Sequence, residues 1–278
     1  MNSSRKIVID TTFDIIHKNN TYVDVWKRKS VKKFNHNNQE VESSDYRSNG
    51  EVVTREISLY DSDNGKIIEK LHFDYEDDIP YFDYKEEYEY DSNNNLIITT
   101  RPISETIFTY NNNNLLLKEI ERKTDSYEKE IFREKIFDYD EKNNLIEYKD
   151  YTHHSEFSIP VLNHSFYKYD EENNKIHTSY SDGRKNYNYQ YKYDDNKNMI
   201  EEYSLGWSGS PNLLTKCSYD KENRLILRKN YENNNIVRIL EIDYDSNCII
   251  STTYNMKDGT KTPELKHIKE TKRTTMNN

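Results

Sequence analysis

The chain has 278 residues, of which 33% are hydrophobic and 32% charged, and its mean hydropathy is −1.14. Its net charge of −10 and pI of about 5.4 disfavour nucleic acid and anionic membrane surfaces, because both attract proteins rich in Lys and Arg. So polar a composition is typical of disorder. The 25 tyrosines argue against disorder, because each supplies a large ring that packs while its hydroxyl stays hydrogen-bonded. The composition therefore predicts a folded chain with a tyrosine-rich core.

The N-terminal sequence, the apolar runs and the cysteine content bear on the cellular compartment of the protein. Residues 1–10 contain no apolar stretch of the kind found in signal peptides, and no apolar run approaches the ~20 residues that span a bilayer. Cys217 and Cys248 are too few and too dispersed for a disulfide framework, so we expect both to be reduced. These features predict a cytoplasmic protein with no membrane partner.

The N-terminal region, residues 1–57, predicts β-strands that lead into the rest of the chain. Turn residues at 18–20 and 48–50 each lie between segments of strand-like composition. Asn and Gly accept the left-handed backbone that tight hairpin turns require. We therefore expect two hairpins here.

A Tyr-Asp repeat dominates residues 58–255, with spacings of 20 to 30 residues between successive motif tyrosines. One copy reads Tyr90-Asp91-Ser92-Asn93-Asn94-Asn95-Leu96-Ile97. The motif tyrosines are Tyr60, Tyr90, Tyr110, Tyr139, Tyr169, Tyr193, Tyr219 and Tyr244. Each copy predicts a strand, an Asx-type turn and a return strand.

The motif aspartates are Asp61, Asp91, Asp140, Asp170, Asp194, Asp220 and Asp245, and the third copy has Asn111 at this position. A catalytic group is needed once, whereas these residues recur in almost every unit. We therefore interpret them as structural turn residues that cap backbone amides.

A run of alternating tyrosines supplies the candidate binding surface. Tyr187, Tyr189, Tyr191 and Tyr193 are separated by single polar residues, which places all four rings on one face of a strand. Trp207 lies in the glycine-containing segment 206–210. Because Trp and Tyr are enriched at binding hot spots, these five residues are the predicted contact residues for a partner.

Second turns between the motif turns complete the predicted fold. Segments such as 76–80, 181–183 and 232–235 are rich in turn residues and would lie at the opposite edge of the sheet from the motif turns. The fold class is therefore all-β: an antiparallel meander of tandem hairpins with about 16 strands, forming a long curled or spiralling sheet. Residues 256–278 are polar and predict a flexible tail.

The repeat resembles that of the Tyr-Asp (YD) or Rhs repeat family. Tyr219-Asp220-Lys221-Glu222-Asn223-Arg224-Leu225 is the copy most similar to the family motif, and Gly183-Arg184 precede another similar stretch. The resemblance covers roughly 58–255 and identifies a short member without the toxin domain. It implies a partial spiralling β-sheet shell. Family members include shells that enclose toxin domains and proteins described as carbohydrate-binding.

No motif predicts a metal or cofactor. Asp61-Ser62-Asp63-Asn64-Gly65 is similar to the start of a calcium loop, but the twelfth position is His72 where such loops carry Glu. The pair His153-His154 lacks the spacing of structural zinc sites. The segment 206–210 lacks the sequence of a phosphate loop and of a hydrolase nucleophile turn. We expect no cofactor, no metal and no enzymatic activity.

The function predicted from these features is a non-catalytic binding protein. Its most concrete form is a cytoplasmic immunity or accessory protein for a polymorphic, Rhs-like toxin, with a basic toxin as the protein partner. The first alternative is a carbohydrate-binding repeat protein. The second is an orphan shell fragment that contributes strands to a larger Rhs/YD protein.

Overall fold

The computed structural model describes residues 4–18, 21–76, 79–124, 130–153, 160–206, 210–245 and 248–275. These residues form twenty β-strands. The strands are β1 (Ser4–Lys18), β2 (Thr21–Phe34), β3 (Glu40–Arg47), β4 (Val52–Tyr60), β5 (Ile67–Glu76), β6 (Ile79–Tyr90), β7 (Leu96–Thr100), β8 (Ser104–Tyr110), β9 (Leu116–Lys123), β10 (Ile131–Tyr139), β11 (Leu145–Thr152), β12 (Val161–Tyr169), β13 (Lys175–Ser181), β14 (Asn186–Tyr193), β15 (Met199–Leu205), β16 (Pro211–Tyr219), β17 (Leu225–Glu232), β18 (Asn235–Tyr244), β19 (Cys248–Lys257) and β20 (Thr260–Thr275). The all-β prediction is confirmed, with more strands than the sequence predicts.

The chain divides into two compact units, which the predicted boundaries at 57 and 255 do not match. Unit one comprises Met1–Lys85 and Cys217–Asn278, and unit two comprises Glu86–Lys216. Within unit two, successive strands from β6 to β16 pair antiparallel. Within unit one, β1 to β5 and β17 to β20 also pair in chain order. The antiparallel meander is confirmed, and the Tyr-Asp repeats run through both units.

The predicted long curled or spiralling sheet is wrong at its two ends, where the first and last described strands pair with each other. β1 pairs with β2 on one side and with β20 on the other, in a ladder that runs from Ser4↔Thr275 to Asp14↔Leu265. β20 also pairs with β19, so neither the first nor the last of the described strands is an edge strand. Pairing is favoured because an unpaired edge would expose a row of backbone N–H and C=O groups.

Residues 256–275, within the segment 256–278 predicted from its polarity to be a flexible tail, form the end of β19 and the strand β20. Asp258 and Gly259 adopt left-handed φ values of 51° and 77°, and Lys257 faces Thr260 across them. A two-residue turn of this kind matches the twist of the strands that it joins. β20 then pairs with both β19 and β1, so partners on two sides order a sequence with little apolar surface.

The buried positions of unit two are polar, and aromatic residues flank several of them. Ser165 faces Tyr148 on one neighbouring strand and Tyr180 on the other. Thr178 lies in the same way between Tyr167 and Tyr189. The buried polar residues described in unit two are Glu86, Thr99, Thr106, Asp150, Ser165, Thr178 and Thr215. Large rings thus shield small neighbours, which explains how the chain packs at so low a hydropathy.

Candidate functional site

The motif aspartates lie at the first residue of their turns. In the Asp140 turn, the Asp140 N–H donates to the Asn144 carbonyl and the Asn143 N–H donates to the Asp140 carbonyl, both at 3.0 Å. Asp140 Oδ1 accepts the backbone N–H groups of Lys142 (2.9 Å) and Asn144 (2.8 Å), and Oδ2 accepts the Asn144 amide at 3.0 Å. These donors, the Asn144 side chain first, lower the pKa of Asp140. The carboxylate is therefore used within its own turn.

The same pattern recurs along the chain. Asp91, Asn111, Asp170, Asp194 and Asp220 open turns of this geometry. The fourth turn residue has a positive φ at Asn94, Asn114, Asn143, Asn173, Lys197 and Asn223. Asp61 opens a turn that is one residue longer, and Asp245 opens a shorter one that includes residues outside the described part of the chain. The carboxylates of Asp61, Asp91, Asp140, Asp170, Asp194 and Asp220 thus each accept backbone N–H groups of their own turn.

One further copy of the turn was not predicted from the sequence, because Phe34 and Asn35 stand where the motif has Tyr and Asp. Asn35, preceded by Phe34, accepts the N–H groups of Asn37 and Gln39 on its Oδ1 at 3.0 Å. Asn38 has the left-handed φ of 59°. The Asn-rich sequence after Asn35 was the signal that could have identified it.

The motif tyrosines link neighbouring repeats through a hydrogen bond that the sequence did not predict. The Tyr139 hydroxyl donates to the Leu116 carbonyl, where the return strand of the preceding repeat begins, at 2.9 Å. We call each such bond a tyrosine rung. The other rungs described run from Tyr60 to Glu40, Tyr110 to Leu96, Tyr169 to Leu145, Tyr193 to Lys175 and Tyr244 to Leu225, at 2.7–3.0 Å. The motif tyrosine is thus a structural residue.

The four tyrosines on the predicted face of β14 form two pairs with different surroundings. Tyr193 forms a rung, and the Tyr191 hydroxyl donates to Thr178 Oγ1 at 3.2 Å. Burial raises the pKa of both phenols. Tyr187 and Tyr189 instead line a depression of ≈ 650 Å³ at the start of the strand. Two of the four predicted tyrosines therefore stay available to a ligand.

This depression, the tyrosine cleft, is lined by Tyr187, Tyr189, Arg184, Lys185, Asn188 and Ser204 among others. The Tyr187 ring stacks on that of Tyr180, with centroids 5.8 Å apart and planes at 27°. Tyr180 was not predicted, although pairing about the 182–185 turn places it opposite Tyr187. Gly206 also lines the cleft, and the next residue, Trp207, lies outside the described residues.

A short turn positions the two cations of the cleft. Asp182 Oδ1 accepts the backbone N–H groups of Arg184 at 2.9 Å and Lys185 at 2.7 Å, and Gly183 has a φ of 78°. These amides, that of Lys185 first, lower the pKa of Asp182. The Asp182 carboxylate thus stabilises the turn that carries Arg184 and Lys185. Both residues line the cleft.

A charged cluster elsewhere in unit two is internally satisfied. The Arg133 guanidinium bonds both oxygens of Asp150, at 2.9 and 2.8 Å, and the Tyr148 hydroxyl donates to Asp150 Oδ2 at 3.1 Å. Asp150 is 5% exposed. Burial, followed by the Asp150 charge, raises the pKa of Tyr148 to about 12. A carboxylate held so firmly is a structural anchor and is poorly suited to act as a base.

Within the described residues, no cluster of His, Cys, Asp or Glu is arranged to hold a metal ion. His164 Nε2 lies 2.7 Å from Glu147 Oε1, while His154 of the predicted histidine pair falls outside the described residues. Cys217 and Cys248 are both free thiols. None of the described segments forms a helix long and apolar enough to cross a membrane.

Comparison with known proteins assigns no family. No family model matches the chain, and no curated protein matches it. Among solved structures, TcdB2-TccC3 without its hypervariable C-terminal region is similar at 12% identity and a TM-score of 0.40, over 94% of this chain and 16% of that one. TcdB2-TccC3 itself gives 11% and 0.38, over 89% and 16%. A porin-like protein from Bacteroides uniformis gives 7% and 0.41, over 97% and 96%.

The chain therefore spans about one sixth of the TcdB2-TccC3 chains that it matches. Identities and TM-scores this low assign neither a family nor a function.

Proposed function

We propose that this chain is a non-catalytic binding protein whose partner occupies the tyrosine cleft. The observation that carries this proposal is the division of the tyrosine face: Tyr191 and Tyr193 bond within the fold, whereas Tyr187 and Tyr189 line a concave surface. A volume of ≈ 650 Å³ suits one bound group of small-ligand size. Tyr contributes a large amphipathic contact at little cost in conformational entropy.

The partner that we favour is a protein. The net charge of the chain and the two cations of the cleft each indicate which charges that partner should carry. The net charge of −10 attracts a basic protein at long range. Arg184 and Lys185 line the cleft itself, so the group that enters it should be acidic or neutral. A basic protein with an exposed acidic or aromatic anchor satisfies both requirements. An immunity or accessory role beside an Rhs-like toxin is the specific form of this proposal, supported by charge and by the resemblance of the repeat.

Carbohydrate is the second candidate, and the composition of the cleft favours it. Aromatic rings present flat apolar faces on which a sugar ring can stack, and Ser204, which faces Tyr189, supplies a hydrogen-bonding group beside them. The shell-fragment alternative has less support, because β1 and β20 pair with each other and so are not free to join a partner sheet at that edge.

The test is affinity capture from the native cells with the wild-type chain and the Tyr187→Ala variant, together with a glycan array. Tyr81→Ala is the matched control, since Tyr81 is 49% exposed and belongs to unit one. A stoichiometric companion captured by wild type and Tyr81→Ala but lost with Tyr187→Ala supports the protein partner. Glycan binding with the same dependence on Tyr187 supports carbohydrate. Ligands that bind all three chains equally would refute the assignment to the cleft.

A further inference from the structure

A row of hydrogen-bonding side chains crosses four strands of unit two on the face opposite the tyrosines. Lys168 of β12 faces His177 of β13, which in turn faces Gln190 of β14. Gln190 then faces Tyr203 of β15. Because side chains alternate along a strand, Gln190 points away from the face that carries Tyr189 and Tyr191. The four side chains therefore form one continuous line, the cross-strand row.

The cross-strand row lines a depression of ≈ 530 Å³ to which Lys192 also contributes. Lys168, Gln190 and Lys192 are exposed, while His177 and Tyr203 are half-buried. The depression thus combines exposed lysines with half-buried hydrogen-bonding groups. It shares none of the residues that form the tyrosine cleft.

The charge around this depression is positive in a chain that is strongly negative. Within the described part of the chain, Lys168 forms no ion pair. Lys192 Nζ lies 3.2 Å from Glu201, but Glu201 is shared with Lys216 at 3.3 Å. Among the described residues, two lysines and no carboxylate therefore line the depression, against a net charge of −10 for the whole chain. A local excess of this sign attracts anions.

His177 is poised to respond to a bound anion. Its neighbours on this face are Lys168 on β12, and Gln190 with Lys192 on β14. Burial first, and then the Lys168 charge, lower the pKa of His177. At neutral pH the ring is therefore uncharged, with one N–H donor available to a ligand. An anion placed between Lys168 and His177 would remove the repulsion that Lys168 exerts on the imidazolium.

We propose that the cross-strand row binds the carboxylate or phosphate group of a small anionic ligand. Lys168 supplies the attracting charge, and His177 and Gln190 supply directed donors. Tyr203, whose hydroxyl donates to Glu201 at 2.6 Å, forms the far wall. This site is independent of the partner proposed for the tyrosine cleft.

Calorimetric titration with inorganic phosphate and with D-glucuronate tests the proposal on the full chain and distinguishes the two anion types. Lys168→Gln should weaken binding of the preferred probe by about tenfold or more, because it removes a charge-assisted contact. Lys221→Gln removes the same charge from a side chain that is 88% exposed and should leave binding unchanged. Tyr187→Ala should also bind normally, so failure of the tyrosine cleft and failure of this site are separable.

Histidine NMR gives a second readout that a general loss of positive charge would not reproduce. The saturating probe should raise the pKa of His177, and binding should strengthen as the pH falls through that value. An unmoved His177 signal, equal weakening by Lys168→Gln and Lys221→Gln, or no binding of either probe at millimolar concentration would each overturn the proposal.

Discussion

The tyrosine rungs should stabilise the fold, and removing single hydroxyl groups measures by how much. Tyr110→Phe deletes the 2.9 Å hydrogen bond to the Leu96 carbonyl, and Tyr193→Phe deletes the 2.9 Å bond to Lys175. Both rings are half-buried and remain in place, so the change is confined to the hydrogen bond. A net contribution of about 1 kcal/mol is expected for each.

The two rungs lie in different repeats and share no partner, so their effects should add to about 2 kcal/mol in the double variant. Equilibrium urea unfolding followed by far-ultraviolet circular dichroism measures the loss as a lower midpoint at unchanged slope. Tyr151→Phe is the control, because no protein partner for the Tyr151 hydroxyl lies within the described residues. If Tyr110→Phe and Tyr193→Phe were no less stable than this control, the rungs would not contribute to stability as argued.

Lys197→Asn should raise stability by about 0.5–1 kcal/mol, because Lys197 is the one residue in the described repeat turns that has a positive φ (65°) without being Asn or Gly. Arg133→Met should lower the free energy of unfolding in urea by about 2 kcal/mol, because it leaves the buried Asp150 carboxylate without its cationic partner. The partial exposure of Arg133 limits the loss. The pKa of Glu201 is held at about 2, first by the Tyr203 hydroxyl and then by Lys192. A depressed pKa stabilises the fold above the unfolded value of about 4.5, so wild type should lose this contribution as the pH falls from there through about 2, and Glu201→Gln should not.

A control variant tests the physical reason given for each of these three predictions. Asn173→Lys, the reverse change at the equivalent position, should destabilise; if it were neutral, backbone strain would not explain the effect at Lys197. Removing both charges with Arg133→Met and Asp150→Leu should cost less than Arg133→Met alone, and a larger cost would contradict the stranded-charge argument. Acid unfolding curves that coincide for wild type and Glu201→Gln would show that Glu201 makes no such contribution.

The sequence by itself determined the strands and their turns, because the interactions that form them are local. The Asp140 turn closes through hydrogen bonds that reach no further than four residues, and the motif that encodes it can be recognised by eye. The alternation of Tyr187 to Tyr193 likewise fixes a strand with one aromatic face. These local features suffice for the all-β antiparallel meander and for the candidate role of Tyr187 and Tyr189.

Tertiary structure decided the features that depend on partners far along the chain. The rung from Tyr139 reaches back 23 residues, and Arg133 meets Asp150 only through the register of β10 and β11. Pairing of β1 with β20 joins the two ends of the chain and orders a segment whose composition alone predicts a flexible tail. The division of the β14 tyrosines between structural and accessible roles follows from the same cause, because cross-strand neighbours determine which hydroxyl groups find a partner inside the fold.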